Sequence, residues 1–256
     1  MSDEVEVRTL LARLGAALVA AGQPVNEVEA DLQEVGTALG FPDAQIAAAP
    51  TGVTLSLAVG SPSTFAANPG TLRLDQASEV REIRHLLARG RLDPPAATAR
   101  LLAVRDRAPR HPAWLGTLGW VICPPGIAFV LQPMWSSVAV ATVAGIAVTA
   151  LVRLSQRAPR FTALLPVVAA FVVACIVFAA ARHGLVEAPL RTLLAPLAVL
   201  LPGALLVTAM AELVTGHMVA GTSRLGYGLV QVLLFTLGIL GAARLLPLAS
   251  ADLANV

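Results

Sequence analysis

Apolar and polar residues alternate with two different periods in the first 110 residues of the chain. Two stripes at helical spacing predict the first pair of helices: Leu10, Leu14 and Leu18, followed by Val28, Leu32, Val35 and Leu39. Asn26, three residues before Glu29, predicts a variant of the capping box at the start of the second helix. The period then changes to two over residues 53–59, which predicts a half-buried strand. With a short strand expected at 71–74 and helices near 76–89 and 94–107, residues 1–110 are predicted to form a small α+β domain.

Long apolar runs with few charges follow. Five of them have roughly 20 residues or more, enough to cross a hydrocarbon core of about 30 Å: 113–131, 135–154, 161–181, 189–211 and 219–246. Prolines are expected to interrupt three of these runs, at 124–125, at 166, and at 196 and 202, although at 166 a kink that only improves packing is favoured. Broken membrane helices are typical of transporter sites. The predicted fold is an α-helical membrane protein, with five transmembrane helices in residues 111–256 and an N-terminal cytoplasmic α+β domain.

The composition agrees with this division into two parts, and the placement of charges predicts how the protein is oriented in the membrane. The chain is 56% hydrophobic and 13% charged, and its net charge of +2 gives no reason to expect a nucleic-acid partner. Arginines cluster before the first run and between the second and third, so the positive-inside rule predicts a cytoplasmic N-terminal domain and an external C-terminus. Every basic residue is Arg, which suggests a GC-rich bacterial genome.

Three ionisable residues near the fourth run are the candidates for chemistry. Glu212 is a candidate to take up and release a proton, and Arg224 to hold a substrate carboxylate through paired hydrogen bonds. Gly216 and Gly221 would let the chain turn between them. Alternatively, Glu212 and Arg224 flank an ordinary cytoplasmic turn.

Other polar positions also have two interpretations. His217 is either part of a proton relay or an ordinary loop imidazole. Gln231 either lines a path or hydrogen-bonds a neighbouring helix, with packing favoured. Gly238 and Gly241 predict a close approach between helices and need no chemistry. Cys123 and Cys175 are expected to be packing residues, because no metal-ligand spacing surrounds them.

Several segments together resemble the bacterial threonine/serine exporter family. They are Leu201-Pro202-Gly203, Ala209-Met210-Ala211-Glu212-Leu213, Gly216, Ala220-Gly221, Arg224-Leu225, and, in the N-terminal domain, residues 21–29 and 49–53. The resemblance extends over nearly the whole chain in the right order. It implies a secondary transporter that exports small polar metabolites across the bacterial cytoplasmic (inner) membrane. It also implies a substrate or proton pathway near Glu212, Arg224 and His217, with Pro202, Gly203, Gly216, Gly221 and Gln231 beside it.

Members of that family of full length carry a second membrane half, so this chain is expected to be the first half. In split relatives such a subunit pairs with a smaller membrane protein, and some pairs are associated with export of dicarboxylates such as succinate. The expected partners are therefore a small-molecule substrate, the lipid bilayer, and a second membrane subunit or further copies of the chain. No cofactor or metal is expected. The alternatives are a membrane-anchored metabolite sensor or scaffold and an enzyme; no nucleophile and base at recognisable spacing supports the enzyme.

Overall fold

The computed structural model of the chain describes residues 2–247, without the side chains of Ser2 and Pro159. The chain divides into two compact units. The first comprises the residues up to Arg110 together with Ala204–Gly226, and the second comprises His111–Gly203 and the residues from Tyr227 onward. The predicted external C-terminus lies outside the described residues.

Four helices and a three-stranded sheet make up the N-terminal part of the first unit. They are α1 (Ser2–Ala20), α2 (Val25–Ala38), β1 (Gln45–Ala49), β2 (Gly52–Ser56), β3 (Ser63–Ala67), α3 (Leu74–Ala88) and α4 (Pro94–Ala103). The sheet is antiparallel in the order β1-β2-β3. Both predicted apolar stripes face its core: Leu10, Leu14 and Leu18 of α1 and Leu32 of α2 are almost completely buried. The helix pair and the mixed α+β character are confirmed.

Two local predictions for this part are wrong. Residues 71–73 form no strand, because α3 already begins at Leu74, where the Gln76 side chain accepts a hydrogen bond from the backbone N–H of Arg73. Asn26 does not cap α2 either. Pro24 occupies the capping position without a side-chain hydrogen bond, and Asn26 is the second residue of the helix.

The second unit is a helical bundle. Its helices are α5 (Ala113–Leu131), α6 (Trp135–Arg157), α7 (Pro159–Thr162), α8 (Leu165–Arg182), α9 (Pro189–Leu197) and the C-terminal part of α11 (Met218–Leu245). Among the described residues, α5, α6, α8 and α11 are long and apolar enough to cross a membrane. Four candidate spans are therefore found where five were predicted.

The fourth predicted run, 189–211, accounts for the difference. It is divided between the nine-residue α9 and the twelve-residue α10 (Gly203–Val214), with irregular backbone between them. Pro202 disfavours a helical conformation at Leu201 and has no N–H to donate, which explains why no helix runs from residue 201 into α10.

The other prolines do not interrupt their helices. Pro124 and Pro125 lie inside the continuous α5, and Pro166 lies in the first turn of α8, where a missing N–H is tolerated. A Cβ atom on Gly145 of α6 would approach Pro124 Cγ to 2.6 Å, so this glycine makes room for the proline ring. Close approach at Gly238 is confirmed: a Cβ there would lie 2.9 Å from Ala170 Cβ of α8.

Candidate functional site

The candidate site is organised by a helical hairpin, formed by α10 and the N-terminal part of α11, inside the first unit. The two helices are joined through Gly216, whose φ of 86° is in the left-handed region that favours glycine. A Cβ on Gly221 would approach Leu213 Cγ to 2.6 Å and the carbonyl oxygen of Ala209 to 2.9 Å. The turn and the close packing together bring the two helices of the hairpin side by side.

This hairpin places Glu212 beside Arg224. Glu212 Oε1 lies 3.3 Å from Arg224 Nη1, and the two side chains are 0% and 11% exposed. In a single continuous helix these residues would lie about 18 Å apart, at 1.5 Å per residue. The pair therefore depends on the turn at Gly216. A turn between the two residues was predicted from the glycines in the sequence.

Glu212 also contacts the start of α2. The backbone N–H of Val25 donates a hydrogen bond to Glu212 Oε1 over 3.0 Å. Val25 is the first residue of α2, and the first N–H groups of a helix have no partner within the helix. A carboxylate at this end is also favoured by the helix dipole. Glu212 thus acts as a cap from a segment far away in the sequence, and protein rather than lipid surrounds it.

Two buried oxygen atoms at this place have no hydrogen-bond partner among the described residues. They are Glu212 Oε2 and the side-chain Oδ1 of Asn26, the neighbour of Val25. Buried oxygens of this kind usually have a donor, since leaving one unsatisfied costs about 1–3 kcal/mol. Each of these two oxygens is therefore an unused acceptor for an N–H or O–H donor.

Arg224 supplies the complementary chemistry. Its guanidinium makes the single ion-pair contact with Glu212 and no hydrogen bond to another described residue. A guanidinium carries five N–H donors in a planar fork that matches a carboxylate. The site thus presents unused donors on Arg224 and unused acceptors on Glu212 and Asn26.

His217 reaches α2 at a second point. Its Nε2 lies 3.0 Å from Glu29 Oε2, and its Nδ1 lies 3.2 Å from Thr215 Oγ1. The other oxygen of Glu29 accepts a hydrogen bond from the backbone N–H of Ala48 on β1, at 2.8 Å. Glu29 therefore joins the hairpin, helix α2 and the sheet.

Sequence reasoning missed Asn26 and Glu29 as members of this cluster, because both were assigned to a local capping box. A signal was present, since both fall in the 21–29 segment that carries part of the family resemblance. Three other predicted residues are not brought to the cluster. Pro202, Gly203 and Gln231 belong to the second unit, and the Gln231 side chain makes no hydrogen bond to another described residue. No group of three potential metal ligands occurs among residues 2–247.

The long apolar helices, together with the helices and strands of the N-terminal part, define a multi-pass membrane protein with an α+β domain. Residues 9–246 match the ThrE family, described as "Putative threonine/serine exporter". Because the match covers most of the chain, the chain belongs to this family, which is a family of transporters and not of enzymes. Searches of curated proteins and of solved structures gave no match.

Proposed function

We propose that the chain is a subunit of a secondary transporter that exports a small α-amino acid, of the threonine/serine type, across the bacterial inner membrane. Family membership supports the transport class. The observation that carries the choice of substrate is the pairing of unused acceptors on Glu212 and Asn26 with unused donors on Arg224. An amino acid at neutral pH carries an ammonium group and a carboxylate, which require these two kinds of partner.

In this proposal each end of the substrate meets its own part of the site. Glu212 Oε2 and Asn26 Oδ1 accept hydrogen bonds from the ammonium group, and Arg224 donates to the carboxylate. A dicarboxylate such as succinate fits less well, because one of its carboxylates would face the two acceptor oxygens. Like charges at close range are unfavourable in a buried site.

Coupling to protons or to the membrane potential belongs to the same proposal. Glu212, which has no exposed surface, is the residue proposed to carry the proton. The proton that Glu212 carries and the substrate ammonium group would compete for Oε2. This competition is one physical route by which substrate release is linked to proton uptake.

The remaining parts of the proposal concern topology and partners. Arginine placement favours a cytoplasmic N-terminal domain, with a domain boundary near residue 110. A second, smaller membrane subunit, or further copies of this chain, would complete the pathway. A metabolite sensor without transport activity is the competing interpretation.

Efflux from preloaded cells tests these points. Cells expressing the chain, alone or with the membrane protein encoded beside it, are loaded with threonine, serine and succinate. We expect threonine or serine to leave faster than succinate. We expect Glu212→Gln to slow this efflux by about tenfold or more, since a hydrogen bond to a charged group contributes about 1.5–3 kcal/mol.

Glu187→Gln provides a matched control, because this glutamate is exposed in a loop. It should leave efflux unchanged. Normal efflux by Glu212→Gln protein present at wild-type level in the membrane would contradict the role of Glu212. No efflux under any condition, with the protein in the membrane, would favour the sensor.

A further inference from the structure

A second candidate ligand site lies in the α+β domain, away from the glutamate–arginine pair. A cavity of about 230 Å³ opens between α1, β3, α3 and α4. Its walls include pairs of alanines on two facing elements, Ala16-Ala17 of α1 and Ala66-Ala67 of β3. Val80 and Leu101, both buried, complete the apolar interior. The cavity exists because these alanines lie where larger apolar side chains would fill the space.

The size and the lining of the cavity favour an apolar ligand body. An apolar cavity of about 150 Å³ in another protein stays dry and binds benzene. Ordered water needs several polar partners, and the interior side chains here offer none. The space therefore has room for an aliphatic chain of at least six carbon atoms, by comparison with the six carbons of benzene in the smaller cavity.

The rim carries positive charge. Arg13 of α1 and Arg105, just after α4, both line the cavity, and its lining contains no acidic residue. Arg105 donates hydrogen bonds to the carbonyl oxygens of Pro69 and Gly70, and so holds the loop beside the opening. Arg13 makes no hydrogen bond or ion pair with another described side chain. Glu6 lines an adjoining hollow on the other side of Arg13 and not this cavity.

We propose that this cavity binds an aliphatic monocarboxylate of at least six carbons, with its chain between α1 and β3 and its carboxylate at Arg13. The apolar interior recognises the chain, and the guanidinium recognises the charge. The α+β domain is then a ligand-binding domain of the protein. This inference does not depend on the substrate proposed for the glutamate–arginine site.

Binding of hexanoate to the full-length chain in a mild detergent tests the proposal. Hexanoate is titrated by calorimetry beside 1-hexanol, which has the same chain without the charge, and acetate, which has the charge without the chain. We expect saturable binding of hexanoate, with 1-hexanol weaker by about tenfold or more. Acetate should not bind measurably.

Variants separate the cavity from uptake of the probe by detergent. Arg13→Gln should weaken hexanoate binding by about tenfold, whereas Arg81→Gln, an exposed arginine of α3 outside the cavity lining, should not. Ala17→Leu places a side chain in the cavity and should abolish saturable binding. If that variant does not fold, Ala67→Leu, at an exposed position of the lining, replaces it.

Several results would overturn the proposal. One is the absence of saturable hexanoate binding at millimolar concentration. Another is equal affinity for hexanoate and 1-hexanol, because the rim arginine would then contribute nothing. A third is binding that survives a folded cavity-filling variant, since the probe would then be bound elsewhere. A change in threonine efflux on adding hexanoate is not required, so this test and the efflux test fail independently.

Discussion

The contact between Glu212 and Arg224 should make a measurable contribution to stability as well as to transport. We consider the variants Glu212→Gln and Arg224→Gln, alone and combined. Glutamine at position 212 keeps an oxygen that accepts the hydrogen bond from Val25, but it removes the negative charge. The first variant therefore isolates the ion pair, and Glu212→Ala removes the pair and the acceptor together.

The structure sets the expected magnitude. Removing one partner of a buried ion pair costs about 3–5 kcal/mol. Here the contact is a single one of 3.3 Å and Arg224 keeps 11% of its surface exposed, which points below that range, to about 2–3 kcal/mol for Glu212→Gln. Glu212→Ala should cost about 1–3 kcal/mol more, because the N–H of Val25 then loses its acceptor.

Two measurements check these values. Unfolding of each variant in mild detergent gives a double-mutant cycle, in which we expect the combined change to cost at least about 1 kcal/mol less than the sum of the single changes. Hydrogen exchange of the Val25 amide reports the cap directly and should accelerate in Glu212→Ala more than in Glu212→Gln. Additive costs in the cycle, with no faster exchange at Val25, would refute the geometry. Arg244→Gln, in the last turn of α11, is the control.

Further consequences follow from other contacts. Gly221→Ala should destabilise the hairpin by about 1–3 kcal/mol through overpacking against Leu213. Gly226→Ala, which has no atom within 4 Å of the added Cβ, should be close to neutral. Thermal unfolding compares the two variants, and equal shifts in melting temperature would contradict the close packing at Gly221. Glu29→Gln should cost about 0.2–1 kcal/mol through its partly exposed pair with His217; a cycle with His217→Gln measures this, and a zero coupling energy would show that the pair contributes nothing. The hydrogen bond from Arg100 holds the pKa of Glu79 below its usual value of 4.5, and the stability that this carboxylate contributes is therefore full above pH 4.5 and lost as the pH falls through the lowered pKa. Wild type and Glu79→Gln should accordingly differ most above pH 4.5 and converge in acid, and a difference that grows on acidification would reverse the sign of this argument.

Much of the fold could be predicted because its elements have strong local patterns. The stripes of α1 and α2 each form one buried face, and the alternation around Val53 and Leu55 matches strand β2. The long apolar runs give α5, α6, α8 and α11 with small shifts at their ends. Strand β3 was missed, since four of the five residues in Ser63–Ala67 are small or polar and the strand depends on pairing with β2.

The predicted break of the fourth run is confirmed, but the predictions for the first and third runs failed for a reason that local sequence does not contain. Whether a proline interrupts a helix depends on what lies against it, and Gly145 makes space for Pro124 from another helix. At Pro202 the chain is outside a helix, because α9 ends at Leu197 and α10 begins at Gly203. The same residue type therefore has two outcomes within one bundle.

Only part of the site could be predicted, because its other residues are brought there by contacts between distant parts of the sequence. Glu212, His217 and Arg224 lie within thirteen residues, so a turn at Gly216 was enough to group them. Asn26 and Glu29 are nearly 190 positions away, and a local capping interpretation explained both of them. Only the tertiary contact reveals that the start of α2 is capped by Glu212 and that Glu29 is bonded to β1 and His217.

The shared use of Glu212 links the site to the α+β domain. One of its oxygens holds the start of α2, and the other is left for a donor. A ligand ammonium group or a proton on Oε2 draws charge from Oε1 and so weakens the bond to Val25. By reciprocity, any change that tightens α2 against the hairpin must alter the affinity of the site for that ligand by the same factor. The α+β domain therefore cannot be a passive attachment in this family member if Glu212 binds substrate or proton.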